Sequence, residues 1–246
     1  MRQSLLFVTF LVWSTTILAQ PPKMVRNGQQ TWLGYFSQTR LSSRWGIWLD
    51  LHYRRTDFLA RPSQVFVRPG VTYYWADNVR LTAGYAYVDT YLQPTGLVRP
   101  EHRPWQQIAW NGRFSRFNTT QWIRVEQRFI RHVANDALAP GYGFNWRFRY
   151  NFMVQVPLWG DATIRPHVLN AVLQNEIFVN AGRQITYNTF DQNRFFTGLS
   201  YPFSRTFSAQ LGYMNQYVQQ PGGNTYLSNH TLRLFLYHTL DFRQLP

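Results

Sequence analysis

Cysteine is absent from all 246 residues. That removes disulfides, thiolate metal ligands, cysteine nucleophiles and lipoprotein acylation together, so stability has to come from a hydrogen-bonded fold. Lysine is nearly absent as well: Lys23 stands alone, and the formal charge of +14 is carried by arginine against only 11 acids. Beyond the N-terminus no apolar run approaches the roughly 20 residues that a spanning helix requires, and mean hydropathy is −0.36. A helical membrane protein is thereby excluded. Metal and cofactor motifs are also missing. No H-x-x-x-H, H-x-E or carboxylate cluster falls on a common face, and Pro221-Gly222-Gly223-Asn224 reads as a turn rather than a phosphate loop. No cofactor is expected.

Aromatic residues, by contrast, make up 18% of the chain, a profile that suits a β-barrel with aromatic girdles. The preference for arginine over lysine has a physical reason. A guanidinium is planar, binds carboxylates or phosphates bidentately and is more weakly hydrated than an ammonium, so it tolerates a confined interior. Basic charge with interleaved aromatics also fits a nucleic-acid binder, but the N-terminus argues against that. MRQSLLFVTFLVWSTTILAQ combines Arg2, an apolar stretch from Leu5 to Val12 and a small-residue cleavage site at Leu18-Ala19-Gln20. Residues 1–19 therefore read as a cleaved signal peptide and 20–246 as one exported domain, without a nucleic-acid partner.

Period-two alternation dominates after residue 30. From Arg44 to Arg55, Trp45, Ile47, Leu49, Leu51 and Tyr53 share one face, while Gly46, Trp48, Asp50, His52 and Arg54 share the other. Similar segments recur to the C-terminus, most of them about ten residues or longer, as tilted membrane strands are. Short connections at 76–78, 115–118, 158–162 and 202–205 alternate with longer ones at 90–100, 132–142, 181–188 and 219–228. Outer-membrane barrels place short turns in the periplasm and long loops outside. Apolar-face aromatics cluster at segment ends, with Trp45, Trp75 and Phe114 beside short turns and Tyr53, Tyr87 and Phe129 beside long loops. Two interfacial belts are expected from this.

The fold class predicted is all-β: a closed antiparallel transmembrane barrel of ten to twelve strands in the bacterial outer membrane. Eleven segments are visible, and bacterial single-chain barrels carry even numbers. Twelve strands are therefore favoured, with Met24 to Gln30 as a short additional one.

The stretches RWGIWLDLHYR, LTAGYAYV, EHRPWQQIAW, IRVEQRF, WRFRYNF, QNEIFVN and QNRFFTGLSY follow in order along the chain. In that order they resemble the barrel family catalogued as domain of unknown function 2490. The resemblance implies an outer-membrane barrel of a Gram-negative bacterium and supplies neither an activity nor site residues. The ending HTLRLFLYHTLDFRQLP, with Leu234, Leu236, Leu240 and Phe242 on one face, resembles a C-terminal strand recognised by barrel-assembly machinery.

If polar faces turn inward, Asp50 falls opposite Arg68, Glu126 opposite Arg149 and Glu176 opposite Arg194, with Arg128 and Arg147 in the same lumen network. A one-residue slip would turn arginines into lipid at about 2–4 kcal/mol each at mid-bilayer depth. Three function classes follow: a structural or ligand-holding barrel with a paired lumen, a narrow anion-preferring channel, or a lipid-modifying hydrolase. The last lacks support, because no serine stands in a nucleophile motif beside a histidine. Outer-membrane lipids and lipopolysaccharide are the expected partners, with Arg55, Arg61, Arg99, Arg131 and Arg183 near the long connections. The ligand is left open.

Overall fold

A computed structural model describes residues 22–161 and 163–243; the expected signal peptide, 1–19, lies outside them. Among the described residues eleven strands close into one barrel. They are β1 (Met24–Arg40), β2 (Trp45–Thr56), β3 (Arg61–Ala76), β4 (Val79–Leu92), β5 (Leu97–Phe114), β6 (Phe117–Ala134), β7 (Ala137–Pro157), β8 (Asn170–Ala181), β9 (Phe190–Pro202), β10 (Phe207–Gln219) and β11 (Thr225–Asp241). Among these residues no helix is long and apolar enough to cross a membrane.

The closed barrel lies within the range expected from sequence, but the favoured twelve strands and the wholly antiparallel sheet are both corrected. Met24 to Gln30 forms the first part of β1 rather than a strand of its own. An up-and-down meander with an odd number of strands begins and ends in the same direction, so its closing pair has to be parallel. β1 and β11 do pair in parallel, from Met24 opposite Thr225 to Arg40 opposite Asp241, while every other neighbouring pair is antiparallel.

Loop lengths also depart from expectation. The segment from His132 to Tyr142 is mostly strand, turned by Asn135 and Asp136 at φ of 51° and 57°. Such paired positive φ values match the right-handed twist of the strands that a two-residue hairpin joins. Conversely, the connection expected to be short after β7 runs from 158 to 169. Pro166, which donates no ladder hydrogen bond, and His167 at φ 63° turn the chain there, so β8 starts only at Asn170. Neither rim is therefore set apart by long loops.

Alternation sorts side chains radially. Ile47, Leu51, Val71, Ile123, Leu173 and Leu211 are exposed on the outer wall, whereas Asp50, Arg68, Glu126 and Arg149 are buried inside. Two apolar clusters also fill the interior: Trp32, Val172, Phe196, Met214 and Phe235, and Phe66, Ala86, Val88 and Trp105. Room for the large rings comes from paired glycines. Gly198 faces Gly212 across the ladder, and a Cβ on Gly198 would lie 2.4 Å from the Leu211 carbonyl oxygen and 2.6 Å from the Phe196 ring.

Candidate functional site

The chemistry of this barrel is concentrated in its lumen, where the inward residues of neighbouring strands are charged. β2 and β3 set Asp50 directly opposite Arg68, and Arg68 Nε donates to Asp50 Oδ2 at 2.8 Å. Trp48 Nε1 donates to the same oxygen at 3.2 Å, and His52 Nε2 lies 3.4 Å from Oδ1. β8 and β9 set Glu176 opposite Arg194, with Arg194 Nη1 3.6 Å from Glu176 Oε2.

The remaining expected pair is shifted. Arg147, not Arg149, stands opposite Glu126, while Arg149 faces Arg124. The difference is two residues, which preserves inward orientation. Arg149 still reaches Glu126 diagonally, its Nη1 at 2.6 Å from Oε1, and its Nε donates to Glu176 at 2.8 Å. Glu126 is the centre of the network. Besides Arg149 it has Arg68 and Arg103 at 3.4 Å, Arg147 at 3.9 Å and Arg124 at 4.0 Å, and its side chain is 0% exposed. Arg128 belongs to a second carboxylate: its Nε and Nη2 donate to the two oxygens of Glu101 at 2.6 and 2.9 Å. This fork-to-fork geometry fixes the angle as well as the distance. Arg103 shares Glu101 at 2.7 Å.

One member of the network breaks the alternation. Asp191 is buried and meets Arg147 Nη2 at 2.9 Å. It is out of phase with the inward Gln192 and Arg194, so alternation assigns it to the outer wall. A register shift in the β8–β9 ladder, where Phe178 faces Gln192 but Val179 faces Phe190, leaves Asp191 as the extra residue of a bulge and turns it inward. Nothing in a period-two pattern signals this. Arg113, which alternation places on the same face as Arg103, stands exposed at the end of β5.

A cavity of about 450 Å³ occupies the lumen, and among the described residues ten arginines line it. Buried acids among the described residues number five, Asp50, Glu101, Glu126, Glu176 and Asp191, so the lumen carries a surplus of positive charge. Around His52 the neighbouring rings are Phe36, Phe66 and Phe235, at centroid distances of 5.0, 5.7 and 5.2 Å. Outward histidines pair instead with tyrosines: His238 with Tyr35 at 3.0 Å, His230 with Tyr213 at 2.6 Å and His102 with Tyr142 at 3.3 Å. Among the described residues no group of three or more His, Asp or Glu side chains converges as a metal site.

The sequence of these strands matches the family described as "Protein of unknown function (DUF2490)" over residues 29–227, from within β1 into β11. The chain belongs to the DUF2490 family. An uncharacterized protein of Methylorubrum extorquens is 30% identical over 185 residues, which cover 73% of this chain and 74% of the relative. No solved structure matches. Membership in DUF2490 thus brings no activity with it, and a functional reading has to come from the lumen and the wall.

Proposed function

We propose that this DUF2490 protein is an outer-membrane β-barrel, exported by its N-terminal signal peptide, whose ion-paired lumen holds a ligand rather than conducting solutes. The carrying observation is the reversed polarity of the wall. Leu51, Val71, Ile123 and Leu211 are exposed outside, whereas Asp50 and Glu126 are fully shielded within. Water would penalise such an exterior, and a bilayer favours it. Strands β5 to β7, of 18, 18 and 21 residues, exceed the roughly 9–11 that a tilted strand needs to span a bilayer; their excess would stand clear of it. Lipopolysaccharide phosphates would meet Arg55, Arg131 and Arg183, and assembly machinery would read the C-terminal strand.

Expression in a Gram-negative host tests the location. Recovery with outer membranes, extraction only by detergent and a gel mobility that changes on boiling are expected. A protein that stays in solution without detergent overturns the proposal. Planar-bilayer recordings test the holder: it should show no steady conductance. The arginine surplus favours one rival, an anion-preferring channel, and a steady anion-selective current would establish that instead.

A further inference from the structure

Arginines in the lumen are not all balanced. Among the described residues Arg54 and Arg233 line the cavity without any carboxylate within 4 Å, and both are buried, at 7% and 3% exposure. Their acceptors are amide oxygens. Arg54 donates to Gln64 at 2.7 Å and Arg233 to Gln174 at 2.8 Å, and the Nε of each has no acceptor. An amide satisfies a donor but leaves the charge uncompensated, which is the costly state for a group removed from water.

Arg54 also has company of its own sign. Its guanidinium lies 3.6 Å from the centre of the Trp32 ring, and that of Arg194 lies 4.8 Å from the same ring. Glu176 is only a partial counter-charge for Arg194, because Arg149 donates to it more closely, at 2.8 Å against 3.6 Å. Two cations thus converge on one indole at the cavity wall. Trp32 itself sits between Arg54 on β2 and Arg233 on β11, opposite each in its ladder. Phe36 and Tyr237 continue the cavity lining and stack on each other with centroids 5.0 Å apart.

We infer that this part of the lumen is a binding site for a small organic anion, its carboxylate, sulfate or phosphate group held by Arg54 and Arg194 and its flat or aliphatic body resting against the cavity's aromatic lining. A cavity of about 450 Å³ lies in the size range of small-molecule pockets and is far larger than an inorganic anion needs. The aromatic lining supplies the apolar contact that such an ion would not use. This assignment rests on the reading of the barrel as a holder.

Isothermal titration calorimetry of the full barrel in a non-ionic detergent provides the test, with 2-naphthoate as the probe, neutral 2-naphthalenemethanol and inorganic phosphate as comparators, and detergent alone as the blank. Naphthoate should bind at least tenfold more tightly than either comparator. Arg54→Gln and Arg194→Gln should each weaken it tenfold or more while keeping the heat-modifiable gel mobility of a folded barrel, and Arg61→Gln at the rim should leave it unchanged. Equal binding of the neutral alcohol, or undiminished binding by both lumen variants, overturns the anion site. Phosphate binding as tightly as naphthoate overturns the organic body. A conducting barrel would instead remove the holder reading itself, whereas a sealed barrel that ignores naphthoate removes this site alone.

Discussion

The two sides of the lumen solve the same problem differently. From β5 to β9, Glu101, Glu126, Glu176 and Asp191 are interleaved with arginines and take short ion pairs. Beside the parallel seam the single buried acid among the described residues, Asp50, is taken by Arg68, and Arg54 on β2 and Arg233 on β11 meet rings and amides. Position alone therefore does not define an arginine's role. Where a carboxylate is at hand the guanidinium is a structural cross-link between strands, and where none is, it remains a donor seeking a partner.

Variants break or sharpen that contrast. The largest effect is expected for Glu126→Gln, which leaves five nearby guanidinium groups without their shared counter-charge. A loss of about 3–5 kcal/mol follows from uncovering confined charge, read as a lowered midpoint in urea unfolding from detergent micelles. Gly198→Ala should come next, at about 1–3 kcal/mol, because its methyl group overlaps Phe196 and the Leu211 carbonyl; the same titration measures it. Asp191→Asn should cost about 1–3 kcal/mol, since Arg147 loses its 2.9 Å partner. The smallest change belongs to Arg54→Met, which removes an unbalanced cation and should leave the midpoint unmoved or slightly raised. A loss from Arg54→Met as large as that from Glu126→Gln would erase the distinction between the two sides.

Much of the arrangement was legible beforehand, because a strand in a closed wall has only two directions for each side chain. Asp50 and Arg68 stand opposite one another as alternation places them, and so do Glu176 and Arg194. The partner of Glu126 was misplaced by two residues because the β6–β7 turn was hidden. Strand signal fades among Ala134, Asn135, Asp136 and Ala137, yet the two-residue turn there, together with a register shift between Arg131 and Val133, sets Glu126 against Arg147. Asp191 was invisible for a related reason, since a bulge suspends the alternation on which the reading depends.

Sequence by itself determined the radial order of this protein: apolar residues outward, charged residues inward, in strands that have to close because an open edge would leave backbone groups unpaired. Tertiary structure alone decided that the eleven visible segments close the wall without a twelfth strand, that β1 and β11 seal in parallel, and which residue on one strand faces which on the next. Those outcomes depend on which strands end up as neighbours around the ring and how far each slides along the next, and local patterning carries no record of either.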